Sequence, residues 1–213
     1  MVSRKYSTQV NLSRTRDKEN VKPILVCNDL VVGVIMLNIV LHEPEIPYNT
    51  GNIGRTCVIT GTRLHLIRPF GFLLNDKMLK RAGLDYWHKL DVTEHDTVDC
   101  FYEYMEKEAS EKEAAGERRP RLFYATTKAK HRYSDVEFHD GDYIMFGRES
   151  AGIPEEILAE HPEDCIRIPM MPDERSLNLS NSAAIILYEA LRQMDFPGLE
   201  DEGELHRLTY KDE

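Results

Sequence analysis

The chain has 213 residues, 41% of them hydrophobic, and a formal net charge of −10 at pH 7. This length fits one domain of ordinary size plus tails, with enough apolar residues for a core. The sequence has no apolar run as long as a membrane-spanning helix and no signal-peptide layout, so we expect a cytoplasmic protein without a membrane partner. The acidic charge argues against a nucleic-acid partner unless a local basic surface is hidden in the sum.

The cysteines predict free thiols rather than a metal site. Cys27, Cys57, Cys100 and Cys165 form no C-x-x-C pair, and their spacing fits no zinc pattern. We therefore expect no bound metal. Free thiols agree with a reducing compartment.

The N-terminal segment differs from the rest of the chain. Residues 1–22 are polar and lack apolar periodicity, so residues 1–35 are predicted to form a disordered extension. Met36 directly precedes the first convincing strand, and the residues before it are either an extension or the product of an over-long gene prediction. Residues 36–198 are predicted to form one domain, and residues 199–213 a charged tail.

From residue 37 onward, short apolar segments alternate with helical patterns. A polar loop (Glu43–Gly51) precedes the first predicted helix, and a charged connection (Ser110–Pro120) follows the third. The predicted strands are Leu37–Leu41, Leu64–Arg68, Arg121–Ala125, Tyr143–Phe146 and Cys165–Ile168. The predicted helices are Ile53–Thr60, a segment from Asn75 or Asp76 to Arg81, Asp96–Ala109, Pro154–Glu160 and Ser180–Met194. This alternation predicts an α/β fold, a parallel sheet with helices on both faces.

The segment Pro47–Thr56 is the first candidate for chemistry. Its Asn and Gly residues permit tight turns, and free amides at a helix start suit an anion. Arg55 falls in the predicted first helical turn, where the helix dipole disfavours a cation, so it either serves a ligand or is an ordinary surface arginine. The G-x-G-x-x-G pattern of dinucleotide-binding folds is absent.

Two further segments follow predicted strands, at the edge where open α/β sheets bind ligands. The first is Phe146–Pro154, in which Gly147 and Gly152 let the backbone approach a ligand closely; the alternative is that the segment is only a structural turn. The second, Ile166–Asn181, leads into the last helix, whose predicted cap is Ser180 or Asn181. The broad apolar surface of that helix requires burial, in part against a second copy of the chain.

In this order, the three segments resemble the three motifs of the SPOUT superfamily of RNA methyltransferases. The resemblance covers residues 36–198 and is closest to the YibK-like branch, the tRNA (cytidine/uridine-34) 2′-O-methyltransferases. It rests on the strings Met36–Pro47, Arg63–Ile67, Arg81–Tyr86, Arg121–Phe123 with Thr126–Lys128, Gly141–Tyr143 and Ser176–Asn181. Two positions depart from the pattern: Gly54 stands where a bulkier residue is common, and Ala151 where some relatives carry a basic one.

The resemblance implies a deep trefoil knot in the C-terminal part of the α/β fold, with S-adenosyl-L-methionine (SAM) bound in it as methyl donor. The implied cofactor-binding positions are Ala125, Gly147, Glu149, Ile168, Ser176 and Leu177. For Glu149, a structural role like that of a helix cap is equally consistent with the sequence. The implied catalytic and supporting positions are Arg55, Arg175, Asn181 and Tyr188.

The implied reaction is 2′-O-methylation of wobble nucleotide 34 of tRNA, including leucine tRNAs, by a homodimer that binds the anticodon stem-loop. Because arginine stays protonated in ordinary settings, Arg55 is expected to hold a phosphate and stabilise the oxyanion rather than act as a base. The candidate tRNA-binding patch, for which a solvated helix face is the alternative, consists of Arg63, Arg68, Lys77, Lys80 and Arg81.

Three other functions stay open on the sequence alone. The same fold methylates other tRNA or rRNA positions, although the absence of an added RNA-binding domain favours the wobble enzymes. A non-catalytic RNA-binding protein of this fold is disfavoured by the intact Arg55 and Ser176–Asn181. An ordinary nucleotide-binding enzyme is disfavoured by the missing glycine pattern.

Overall fold

The computed structural model describes residues 26–27, 30–31, 36–72, 86–200 and 202–208. The chain divides into two units, residues 1–33 and residues 34–213. In the first unit, strand β1 (Val26–Cys27) pairs antiparallel with β2 (Leu30–Val31), inside the segment predicted to be an unfolded extension. The predicted helix that ends at Arg81 lies outside the described residues. The domain bounds drawn from the sequence stay a prediction.

The second unit is built on a seven-stranded sheet in which every pairing is parallel. Its strands lie in the order β5-β4-β3-β8-β6-β9-β7. Their bounds are β3 Asn38–His42, β4 Arg63–Ile67, β5 Val92–His95, β6 Leu122–Ala125, β7 His131–Arg132, β8 Tyr143–Phe146 and β9 Cys165–Arg167. The helices are α1 Pro47–Thr60, α2 Val98–Ala114, α3 Glu155–Glu160 and α4 Leu179–Gln193, with a 3-10 turn at Trp87–Lys89.

Both faces of the sheet are covered by helices. Since successive side chains of a strand point to opposite sides, each central strand contributes to both layers of the core. Ile39 and Leu41 of β3 belong to a core cluster that includes residues of α1 and α4. Val40, between them, belongs to a second cluster with Phe101 of α2 and Leu158 of α3. The predicted α/β fold, with a parallel sheet between two helical layers, is therefore confirmed. The trefoil knot, which the strand order alone does not establish, stays a prediction.

Two predicted loops are helical in the structure, and both predictions were wrong for a physical reason. Helix α1 begins at Pro47 rather than at Ile53, with proline in its first turn, so most of the predicted loop is the start of the helix. Helix α2 continues to Ala114, through part of the predicted charged connection. Its charged end is a good helix former, and an ion pair joins Lys107 and Glu111 one turn apart.

The cap of α4 also differs from the prediction. Asn178 is the N-cap residue, and its side-chain oxygen accepts hydrogen bonds from the backbone N–H of Ser180 and Asn181. Strands β5 and β7 were not predicted, since both are short and partly polar. No helix among the described residues is long and apolar enough to cross a membrane.

Candidate active site

A cavity of about 410 Å³ lies beyond the carboxyl ends of β6, β8 and β9. Three loops form most of its wall: residues 125–128 after β6, residues 146–153 after β8, and the segment from β9 into α4. All of the predicted cofactor-binding residues lie on that wall, namely Ala125, Gly147, Glu149, Ile168, Ser176 and Leu177. The structure thus brings together side chains that are widely separated in the sequence.

The loop after β8 closes tightly on itself at Gly147. A Cβ atom placed on Gly147 would lie 2.0 Å from the carbonyl carbon of Gly152 and 2.1 Å from the nitrogen of Ile153. Two backbone hydrogen bonds between Arg148 and Gly152 hold the loop, at 3.2 and 2.8 Å. Gly152 has a φ of +74°, which is accessible to glycine at little cost. The shape of this cavity wall therefore depends on glycine at both positions.

Glu149, in the loop after β8, stabilises the segment that leads into α1. Its carboxylate accepts hydrogen bonds from the backbone N–H of Glu45 (2.8 Å) and Ile46 (3.2 Å) and from the side-chain amide of Asn49 (2.9 Å). Asn49 in turn accepts a 2.9 Å hydrogen bond from the side-chain amide of Asn178. A continuous hydrogen-bond chain therefore joins the starts of α1 and α4 to the loop after β8, which supports the alternative reading of Glu149 as a structural cap.

The predicted catalytic residues fall into two groups. Arg175 lines the cavity, whereas Arg55, Asn181 and Tyr188 are exposed on helices and are not part of its wall. Arg55 lies in the middle of α1 rather than in its first turn, so the argument from the helix dipole was wrong. Its guanidinium carbon lies 5.1 Å from the centre of the Tyr86 ring.

Helices α1 and α4 pack against each other and present an exposed face with large apolar side chains. On α1, Tyr48 is 73% exposed and Ile59 is 61% exposed. On α4, Ile185 and Tyr188 are 37% and 42% exposed. Because Arg55 and Asn181 are exposed on the same two helices, a candidate contact surface adjoins the candidate catalytic residues.

The two described residues of the predicted tRNA-binding patch, Arg63 and Arg68, are both neutralised by acidic neighbours. Arg63 forms ion pairs with Asp91 and Glu108, and Arg68 with Glu94 and Asp96. The three remaining residues of the patch lie outside the described residues. Within the described ranges, the lysine and arginine side chains that form no ion pair are Arg55, Lys89, Lys130, Arg167, Arg175 and Arg207.

Two titratable groups near the cavity are perturbed. Burial lowers the pKa of His42, at the end of β3, and the nearby Arg148 lowers it further. A hydrogen bond from Lys128, on the cavity wall, lowers the pKa of the exposed Glu155. The described residues contain no cluster of three or more His, Cys, Asp or Glu side chains that could hold a metal ion.

Several residues of the cavity wall were not among the residues predicted to bind the cofactor. Asn49, Thr126 and Lys128 line the cavity. The signal for Thr126 and Lys128 was present, since both directly follow a predicted strand at the ligand-binding edge of the sheet. Asn49 gave no such signal because its partners, Glu149 and Asn178, are distant in the sequence.

A loop-lined cavity beyond the carboxyl ends of parallel strands is the usual position of a ligand site in α/β proteins. The profile of the SpoU rRNA Methylase family matches residues 36–188, and the chain belongs to this family.

Relatives of known name share most of this chain. The tRNA (cytidine(34)-2′-O)-methyltransferase of Escherichia coli K12 is 51% identical over 164 residues, which cover 76% of this chain and 97% of the relative. A structure solved for insights into 2-OH methylation of C/U34 on tRNA has a TM-score of 0.67 and 42% identity, covering 76% of this chain and 99% of that chain. The SpoU methyltransferase AviRb of Streptomyces viridochromogenes, in complex with the cofactor AdoMet, shares the fold at a TM-score of 0.64 and 24% identity, covering 76% of this chain and 61% of that chain.

Proposed function

We propose that this protein is a tRNA methyltransferase that transfers a methyl group from SAM to the ribose 2′-hydroxyl of nucleotide 34. The observation that carries this proposal is the 51% identity to the E. coli enzyme named for this reaction, over 97% of that enzyme's length. Leucine tRNAs are the proposed substrates, recognised through the anticodon stem-loop. The cytoplasm is the proposed location.

The cavity fits SAM in size and chemistry. Its volume of about 410 Å³ lies in the range of small-molecule sites. Apolar side chains such as Ile168 and Leu177 suit the adenine ring, and Ser176 and Asn178 offer polar groups for the ribose and the amino acid part. When bound there, the sulfonium centre of SAM supplies an electrophilic methyl group.

The reaction joins the 2′-oxygen to the methyl carbon while the carbon–sulfur bond breaks, and the hydroxyl proton leaves to water. Arg55 forms no ion pair within the described part of the chain, and its exposed guanidinium is available to the substrate. A permanently charged guanidinium holds a neighbouring phosphate and stabilises the negative charge that develops on the attacking oxygen. Arg175, on the cavity wall and also without an ion pair there, is proposed to support the same substrate.

We propose that the active enzyme is a homodimer formed through the exposed face of α1 and α4. A single chain leaves Tyr48, Ile59 and Tyr188 substantially exposed on this face, and a second copy would bury them. Arg55 and Asn181 are exposed on the same helices, so a partner's cavity placed against this face would complete the site. An Ile59→Glu variant should sediment as a monomer and lose methyl transfer, whereas Leu208→Glu, at a 74% exposed tail residue, should change neither.

The function is tested by incubating the protein with methyl-labelled SAM and bulk tRNA from a strain that lacks the wobble methylation. We expect label on the 2′-oxygen of nucleotide 34. An Arg55→Ala variant should transfer about 100-fold more slowly, as for a lost oxyanion-stabilising group. An Arg207→Ala variant, at another exposed arginine without an ion pair in the described ranges, should keep its activity. Label at another position would overturn the substrate, and SAM binding without transfer would identify a non-catalytic RNA-binding protein.

A further inference from the structure

Among the described residues, the guanidinium of Arg55 lies over the ring of Tyr86. The guanidinium carbon lies 5.1 Å from the ring centre, within the range of a cation–π contact. The side chain is exposed and forms no ion pair with the described residues. Without an aromatic face beneath it, a long exposed arginine side chain would sample many rotamers.

The Tyr86 ring is itself attached to the helix that carries Arg55. Its hydroxyl donates a 2.7 Å hydrogen bond to the backbone carbonyl of Gly51. Gly51 lies one helical turn before Arg55 on α1, so the two side chains are anchored to the same short stretch of backbone. The ring therefore holds a fixed position relative to the guanidinium.

The residues after Tyr86 reinforce this attachment through a glycine in α1. A Cβ atom on Gly54 would lie 3.0 Å from Cζ3 of Trp87 and 3.2 Å from Cδ2 of Leu90. Glycine destabilises a helix interior relative to alanine, yet here it leaves the space that these two side chains occupy. The chain segment that begins with Tyr86 thus lies directly against the turn of α1 that carries Arg55.

We propose that Tyr86 is a positioning residue for Arg55, and that the contact of Trp87 and Leu90 with Gly54 keeps its ring in place. This proposal rests on the proposed function, in which Arg55 stabilises the transition state. The ring limits the guanidinium to one direction before the tRNA arrives. Tyr86 acts through Arg55 and is not assigned a contact with the reacting atoms.

The test uses two substitutions at Tyr86 and measures kcat at saturating tRNA and SAM. Tyr86→Leu removes the aromatic face and should lower kcat about tenfold, in line with a partly desolvated cation–π contact. Tyr86→Phe keeps the face and should recover most of that loss. The dissociation constant for S-adenosylhomocysteine, measured by calorimetry, should stay within about twofold of the original in both variants, because Tyr86 is not on the cavity wall.

A double-mutant cycle separates positioning from a purely structural effect. In an Arg55→Ala background, Tyr86→Leu should cause no further fall in kcat, since the group it positions is already absent. As a matched control, Phe70→Leu removes the ring that lies 4.7 Å from the guanidinium of Arg68 and should leave kcat unchanged. Should Tyr86→Leu fail to fold, Gly54→Ala serves instead, because its Cβ presses on Trp87 while alanine favours the helix.

The outcomes distinguish this proposal from the proposed function. Full activity of Arg55→Ala would overturn the role of Arg55 and, with it, that of Tyr86. A strong loss in Arg55→Ala combined with normal kcat in Tyr86→Leu would overturn the positioning role alone. Additive losses in the double variant, or equal losses in Tyr86→Leu and Tyr86→Phe, would also contradict it.

Discussion

Replacing Gly147 by alanine tests whether the tight loop after β8 shapes the cofactor cavity. The new Cβ would lie 2.0 Å from the carbonyl carbon of Gly152, whereas carbon atoms in contact are separated by roughly 3.5 Å. Because the obstacle is backbone, the loop has to move by roughly 1.5 Å. Such a shift breaks the two backbone hydrogen bonds between Arg148 and Gly152, at about 1 kcal/mol each, and displaces one of the three loops of the cavity wall.

We therefore expect Gly147→Ala to lower the free energy of unfolding by about 2 kcal/mol and to weaken SAM binding at least about tenfold. Urea denaturation and calorimetry measure the two effects. Gly116→Ala is the matched control: Gly116 has a φ of +77° and open space around its Cβ position, so that variant should lose stability but bind SAM normally. Unchanged SAM affinity in Gly147→Ala would refute the reasoning.

Three further predictions concern stability and thiol chemistry. Glu149→Ala removes the carboxylate that accepts three hydrogen bonds at the start of α1 and should cost about 2–3 kcal/mol in urea denaturation; a cost below about 0.5 kcal/mol would contradict this cap. Burial lowers the pKa of His65 to about 3. Between about pH 6.5 and 3 the unfolded chain therefore binds more protons at this residue than the folded chain, so the free energy of unfolding should fall on acidification by up to ~1.4 kcal/mol per pH unit. In a series of denaturation curves at decreasing pH, His65→Gln should lose this contribution to the slope. Burial raises the pKa of Cys57, whereas Cys100 is exposed. Peptide mapping after iodoacetamide treatment of the native protein should therefore find Cys100 alkylated and Cys57 intact. Rapid labelling of Cys57 would contradict its stable burial in the core.

The sheet could be predicted from the sequence because its central strands are strongly apolar. The segment around Ile39 is buried on both faces of the sheet, so it forms a continuous apolar run that needs no partner to be recognised. The edge strand Val92–His95 contains Thr93 and Glu94, and its strand character follows only from its pairing with β4. Local pattern therefore identified the centre of the sheet and missed its edges.

The start of α1 shows why part of the site could not be predicted. The backbone N–H groups of Glu45 and Ile46, just before the helix, donate to Glu149, about 100 residues away, and no local side chain caps the helix. Without knowledge of that contact, Pro47–Gly51 had the composition of a loop. The error moved Arg55 into a first turn, and its role in the reaction stays a prediction.

The residues around the cavity were easier to recognise in the sequence than the exposed faces of the helices, for a related reason. Ala125, Gly147 and Ile168 all follow or end parallel strands, and such strands place their carboxyl ends at one edge. Arg55 and Tyr188 lie on the exposed faces of helices, where one chain does not fix their neighbours. Their assembly into a site depends on the proposed dimer.

The most direct test of the account compares two synthetic anticodon stem-loops that differ by one atom. One carries cytidine at position 34, and the other carries 2′-deoxycytidine there, with every other nucleotide unchanged. The account predicts methyl transfer from labelled SAM to the first and none above background to the second, because the accepting oxygen is missing. Equal transfer to both would contradict 2′-O-methylation of nucleotide 34 as the function of this protein.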